Sequence, residues 1–280
     1  MHFAVCIKQV PDTAEVKIDP ETNTLVRAGV ESMANPYDIT ALEAALGLKE
    51  KYGARVTALS MGPPQADSVL RQALSMGADD AVLLCDRAFA GADTLATSYT
   101  LSKAIETLGT VEPVDLVLCG KQAIDGDTAQ TGPGIAARLG LTQFTYVLDV
   151  EWLDPGKRRL QARRKVEGGM EVISGPLPAL LSVELEMATP RRASLPMLIA
   201  SLRAEIKVWD AKAIGARADL VGIKGSPTWV KAIASPQLHR AGPKWDAAES
   251  VSAAVSAALG ELFSDRDFEA GFAKGWKAEG

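Results

Sequence analysis

The sequence predicts an α/β protein in which a parallel sheet is covered by helices on both faces. Three observations predict it. Short apolar runs alternate with amphipathic stretches through the first half of the chain. The apolar runs, such as Leu116-Val117-Leu118-Cys119, are continuous, as in strands buried from both sides. At 280 residues, 47% of them hydrophobic, the chain can bury one large core, or one domain with an appendage.

The elements follow in order. Residues 3–10 predict the first strand. Residues 38–52 predict a helix, with Ile39, Leu42, Ala45, Leu46 and Leu48 at helical spacing. Residues 55–60 are the next strand. A helix over 65–76 starts after Pro63-Pro64 and stops at Gly77. Residues 81–85 are a strand, and 93–108 a helix capped by Asp93 or Thr94 and stopped at Gly109. Residues 115–119 are a strand, and 128–139 a helix. Beyond about residue 144 the pattern changes. Residues 144–152 and 159–166 predict a hairpin around Asp154-Pro155-Gly156-Lys157. Residues 178–185 predict another strand, 186–205 an irregular loop, and the tail a helix over 247–263. Trp229, Trp245 and Trp276 lie in a region too poor in other apolar residues to fold alone, so the tail is expected to pack on another surface.

A net charge of −5 argues against general nucleic-acid binding. No apolar run approaches the roughly 20 residues that span a bilayer, and Met1-His2-Phe3-Ala4-Val5-Cys6-Ile7 reads as a strand, not a signal peptide. A cytoplasmic protein is expected. Cys6, Cys85 and Cys119 each sit in or at the end of a strand-like run and read as reduced core thiols. With only His2 and His239 as histidines, a structural zinc and a histidine-based nucleophile pair are not expected.

In sheets of this kind ligands bind at the carboxyl ends of the strands, where strand order reverses. The chemistry is therefore sought in the polar segments that follow strands. The richest is Gly120-Lys121-Gln122-Ala123-Ile124-Asp125-Gly126-Asp127-Thr128-Ala129-Gln130-Thr131-Gly132, between a strand and a helix. The N–H groups of a first helical turn and the positive end of its dipole favour an anion there. Thr128 and Thr131 can cap the helix or donate to a phosphate; Asp125 and Asp127 would repel one, and suit ribose hydroxyls or a cap. A nucleotide cradle and an ordinary Gly-rich turn both fit. Val10-Pro11-Asp12-Thr13, Asn35-Pro36-Tyr37-Asp38, Met61-Gly62-Pro63-Pro64 and the 91–98 segment can converge on the same crevice. Neither G-x-G-x-x-G nor a P-loop occurs. The basic residues 157–159 and 163–165 read as a solvated hairpin face, whereas Arg191-Arg192 beside Leu195-Pro196-Met197-Leu198 suits a protein interface.

Together these motifs resemble one family, the β subunits of electron-transfer flavoproteins. The segments that carry the resemblance are Cys6-Ile7-Lys8-Gln9-Val10, Asn35-Pro36-Tyr37-Asp38, Met61-Gly62-Pro63, residues 71–79, the 119–132 loop and residues 190–196. It covers residues 1–225, and the tail more loosely. It implies a Rossmann-like, adenine-nucleotide-hydrolase-like domain over 1–225, and an extension over 226–280 that packs on an α subunit carrying its own FAD. The implied cofactor site comprises Cys6, Lys8, Val10 and Pro11; Asn35, Tyr37 and Asp38; Met61 and Gly62; Asp93, Thr94, Leu95, Ala96 and Thr97; and Cys119, Gly120, Lys121, Gln122, Ala123, Ile124, Asp125, Gly126, Asp127, Thr128, Ala129, Gln130 and Thr131. In one branch of the family this site holds structural AMP; in the electron-bifurcating branch it holds a second FAD that accepts hydride from NADH. Residues 10–13 and 86–98 resemble the FAD type. The resemblance implies no catalytic side chain and no metal. The 186–205 segment resembles the recognition loop that docks acyl-CoA dehydrogenases, with Leu195 as its anchor beside Arg191, Arg192 and Pro196. Arg192 stands where an aromatic is usual. Ferredoxin, flavodoxin or a membrane quinone reductase would accept the electrons. A nucleotide sensor or ATP-dependent ligase on the same fold is the competing class, and no P-loop variant supports it.

Overall fold

The computed structural model describes residues 1–12, 32–231, 245, 247, 248 and 250–264. The chain divides into two compact units, Met1–Ile233 and Ala234–Gly280. In the first unit β1 (His2–Cys6) is followed by β2 (Gln9–Pro11), β3 (Ser32–Ala34), α1 (Pro36–Tyr52), β4 (Arg55–Met61), α2 (Asp67–Met76), β5 (Asp80–Leu84), α3 (Thr94–Gly109), β6 (Leu116–Gly120) and α4 (Thr131–Leu139). Then come β7 (Thr142–Asp154), β8 (Arg159–Val166), β9 (Gly169–Pro176), β10 (Ala179–Val183), α5 (Leu195–Arg203) and β11 (Lys207–Trp209). In the second unit the described residues hold α6 (Val251–Ser264).

The main sheet runs β11-β5-β4-β1-β6-β10-β7-β8-β9. Every pairing from β11 to β7 is parallel, and β7–β8 and β8–β9 are antiparallel. The chain leaves β1, moves outward through β4 to β5, then crosses back to β6 on the other side of β1. Strand order therefore reverses between β1 and β6, and a crevice opens at their carboxyl ends. Side chains alternate along these strands. Phe3, Val5, Leu116 and Leu118 enter one core with Leu42 and Leu46 of α1 and Leu70 of α2. Ala4, Cys6, Val117 and Cys119 enter the other with Leu101 of α3 and Ile135 of α4. Both faces are thus covered by helices, as the alternation predicts.

Four expectations are corrected. The first strand does not run to residue 10: it ends at Cys6, and Gln9–Pro11 pairs instead with Ser32–Ala34 in a separate two-stranded sheet. The last predicted core helix begins at Thr131, not at residue 128. The hairpin is a three-stranded meander, because β9 pairs with β8 along its whole length. Residues 186–205 are not irregular throughout: Leu195–Arg203 form α5, with Ser194 capping it and Pro196 in its first turn. Proline is tolerated there because the N–H it lacks has no intrahelical acceptor. The basic residues of the meander carry acidic partners, Arg163 with Asp149, Arg164 with Glu171 and Lys165 with Glu186. Thr13, His239 and Trp276 lie outside the described residues. No helix among the described residues is long and apolar enough to cross a membrane.

Candidate functional site

The carboxyl end of β1 and that of β6 are joined by one buried side chain. Asp38, in the first turn of α1, accepts from the Lys8 N–H through Oδ2 and from the Gly120 N–H through Oδ1, at 2.8 Å each. Burial pushes its carboxyl up to about 6, against the opposing pull of hydrogen bonds from Lys8, Asn35 and Gly120. The two donors belong to residues just beyond or at the ends of the two strands. Asp38 therefore fixes the width of the crevice at the switch point.

Asn35 fixes the loop that crosses it. Its Nδ2 donates to the Gln122 carbonyl at 2.8 Å and its Oδ1 accepts from the Ile124 N–H at 3.2 Å. Its own N–H donates to the Lys8 carbonyl at 2.9 Å. Asn35 is fully buried, so every one of these bonds replaces water that the side chain has lost. Asp125 pairs with Lys8 at 2.6 Å, and Asp127 accepts from the Gln122 amide at 2.7 Å. Neither aspartate caps the helix that follows. Gly120 sits so close to α1 that a Cβ would lie 2.4 Å from Tyr37 Cβ and 2.6 Å from Asp38 Oδ1. Only glycine fits where the strand end meets the helix start.

The rest of the loop is strained. Asp127 has φ +50° and Ala129 φ +53°, left-handed backbone without glycine. Such residues cost about 1–3 kcal/mol each and persist where the surroundings impose them, often at ligand sites. Ala129 is left-handed and Gln130 right-handed (φ −103°, ψ −24°). Successive residues of opposite hand turn their N–H groups to one side and form a concavity for an anion. The concavity leads into α4, whose N-cap Gln130 makes no side-chain cap. Thr128 and Thr131 thus do not cap the helix, and its first-turn N–H groups have no intrahelical partner. An oxyanion placed there meets unpaired donors and the positive end of the dipole.

The start of α3 differs. Asp93 Oδ1 accepts from the N–H groups of Leu95 and Ala96 at 2.9 and 3.0 Å, and its Oδ2 accepts from the Thr228 hydroxyl at 2.8 Å. The Asp93 N–H donates to Ser226 Oγ at 2.8 Å. Thr94 Oγ1 donates to Gln130 Oε1 at 3.0 Å, which ties the α3 and α4 N-termini together. Thr97 is half-buried beside them. On the other flank Lys121 Nζ pairs with buried Glu184 at 3.2 Å and lies 5.4 Å from the Tyr37 ring centroid and 5.6 Å from that of Tyr146. Tyr146 is itself left-handed, with φ +57°. Sequence reasoning omitted Glu184, Tyr146, Ser226 and Thr228. Glu184 lies inside the strand expected over 178–185, so a search of the segments after strands passes over it; the observed strand ends one residue earlier, at Val183.

Cys6 and Cys119 face each other in register across β1 and β6. Burial pushes the Cys6 thiol up to about 12, and the Asp38 charge adds to it. Burial, with Cys6 and Asp38, likewise pushes Cys119 up. Both are neutral thiols in the floor of the crevice, with no nucleophilic character at neutral pH. Val10 is buried and Met61, Gly62 and Pro11 are half-buried. Leu195 lies away from this crevice, on α5, and is 68% exposed. Pro196 and Arg192 are exposed beside it, while Arg191 is half-buried and paired with Glu43 and Glu50 of α1.

Residues 22–214 match the model of the electron transfer flavoprotein domain. The chain is 52% identical over 231 residues to the electron transfer flavoprotein subunit beta of Clostridium acetobutylicum, covering 82% of this chain and 86% of that one. It is 50% identical over 243 residues to the subunit of the same name from Thermoanaerobacterium thermosaccharolyticum, covering 86% and 91%. It is 49% identical over 238 residues to protein FixA of Azotobacter vinelandii, covering 85% of each.

Proposed function

The chain belongs to the electron transfer flavoprotein family, among its β-subunit and FixA-type members, and on that premise we propose that it pairs with an α subunit and binds FAD in the crevice between β1 and β6. The adenosine end would lie against Asn35, Asp38 and the 120–131 loop, and one phosphate would meet the Ala129–Thr131 N–H groups. The observation that carries FAD, with its two phosphates, is the pairing of two helix N-termini through Thr94 and Gln130. A flavin bound there would supply the redox chemistry, namely hydride acceptance from NADH and electron transfer to the α-subunit FAD in the bifurcating manner. The protein's part is binding and orientation. No side chain is assigned an acid or base role.

One observation favours the second reading, a one-flavin carrier with structural AMP in this site. The α3 N–H groups are already filled by Asp93, which Thr228 holds in place. Acid extraction of nucleotides from the co-expressed αβ heterodimer decides between the two. Two FAD and no AMP are expected; one FAD with one AMP would overturn the FAD reading.

The tail is proposed to pack on the α subunit. On α6 the exposed Val251, Val255, Leu259 and Leu262 recur at helical spacing. On α5, Leu195, Leu198, Ile199 and Leu202 are exposed at i, i+3, i+4 and i+7. That stripe is proposed as the surface that docks an acyl-CoA dehydrogenase, with ferredoxin, flavodoxin or a membrane quinone reductase as the acceptor class. The compartment proposed is the cytoplasm.

A further inference from the structure

A nine-residue helix is marginal by itself, so the direction in which α5 points must be imposed from outside. Two arginines impose it. Arg71 of α2 donates through Nε to Asp67 Oδ2 at 2.6 Å and through Nη2 to Asp67 Oδ1 at 3.3 Å. This two-pronged contact, one turn away on the same helix, fixes the plane of the guanidinium. Its Nη1 then donates to three carbonyls at the end of α5: Ser201 at 2.7 Å, Leu202 at 3.2 Å and Ala204 at 3.4 Å. Carbonyls at a helix C-terminus have no donors of their own, and a cation there complements the dipole. At the entrance to α5, Arg191 is held on α1. Its N–H donates to Glu43 Oε2 at 3.0 Å, its Nη2 to Glu43 Oε1 at 2.8 Å, and its Nη1 to Glu50. Ser201 is the buried residue of α5, and the exposed stripe of Leu195, Leu198, Ile199 and Leu202 flanks it, with Leu198 one turn away.

We infer that Arg71 is a positioning residue for the docking helix, acting with Arg191 to hold the α5 stripe outward and ordered before any partner arrives; this rests on the docking reading above. The ordering cost of α5 is then met on folding and not on association, which favours tighter docking. Neither arginine is a partner contact. Arg191 spends its donors within the chain, and Arg71 meets α5 through main-chain carbonyls at its C-terminal end. Lysine would not substitute fully, because a point charge cannot hold Asp67 and three carbonyls in one plane.

The test uses the co-expressed αβ heterodimer as acceptor for an acyl-CoA dehydrogenase reduced by its acyl-CoA, with Arg71→Met, Arg71→Lys and Leu195→Ala compared. Arg71→Met is expected to raise the KM for the heterodimer on the order of tenfold, about 1.4 kcal/mol of docking energy. Flavin content and kcat should stay unchanged, and the amide protection of residues 195–203 should fall in hydrogen exchange. Arg71→Lys should recover part of the KM. A raised KM in Leu195→Ala with a normal KM in Arg71→Met would overturn the positioning role and leave the docking reading standing. Flavin loss or lowered kcat in Arg71→Met at constant KM would also overturn it, as a general structural defect. No change in Leu195→Ala would overturn the docking reading itself.

Discussion

Asp38→Ala is expected to remove the nucleotide site and to destabilise the protein by about 2–6 kcal/mol. The substitution leaves the N–H groups of Lys8 and Gly120 without their acceptor, and a buried donor left unsatisfied costs about 1–3 kcal/mol. The two strand ends then have nothing to hold them at the spacing the crevice needs. Denaturant melts and nucleotide extraction from the heterodimer read both effects; a stable variant with full nucleotide content would remove Asp38 from its central place. Asp38→Asn separates shape from charge. With the carboxyl pushed from 3.8 to about 6 by burial, the folded protein holds this proton more tightly than the unfolded chain does between about pH 4 and 6. The stability linked to this proton is therefore fully present below about pH 4 and is lost as pH rises through 6, a total of about 3 kcal/mol. The stability of the native protein relative to Asp38→Asn should fall over that window. A difference independent of pH would mean that the carboxyl titrates in the folded protein where it does in the unfolded chain.

Gly120→Ala is expected to be as damaging by a different route. The new methyl would stand 2.4 Å from Tyr37 Cβ and 2.7 Å from the Tyr37 backbone carbon. The nearest obstacle is main chain and the root of a side chain, so no rotamer change relieves it. Overpacking a rigid site costs typically about 1–3 kcal/mol and sometimes more. Here relief requires α1 to move away from β6, which would break the Asp38 bond to the Gly120 N–H and loosen the 120–131 loop. Loss of bound nucleotide before any loss of helical circular dichroism is the expected order on heating. Retention of the nucleotide up to the global melt would show that α1 can shift at little cost.

Much of the fold was legible because its signals are local. Continuous apolar runs such as Phe3-Ala4-Val5 and Leu116-Val117-Leu118 are what a strand buried on both faces requires. Asp93 caps α3 where the sequence places it, because a cap is made within one turn of chain. What failed was non-local. Lys207-Val208-Trp209 becomes a strand only because β5 lies ready to pair with it. Gly169–Pro176 becomes one because β8 offers its edge. Gln9–Pro11 leaves the main sheet because Ser32–Ala34, far along the chain, pairs with it. In the segment expected to be irregular, Pro196 is a first-turn residue of α5, and Arg71, distant in sequence, holds the other end.

The sequence by itself determined the α/β class, the order of the helices and main-sheet strands through residue 139, the family and the loops in which the candidate site lies. These follow from periodicity, capping and residue choice within a few positions of each other. Only the tertiary structure decided that Asp38 joins β1 to β6, that Asn35 pins the 120–131 loop, that Thr228 holds the Asp93 cap, and that Arg191 turns inward to Glu43 and Glu50. Each of these is a hydrogen bond or ion pair between residues dozens to more than a hundred positions apart. Their partners are chosen by the order in which strands join the sheet, and that order has no local trace in the chain.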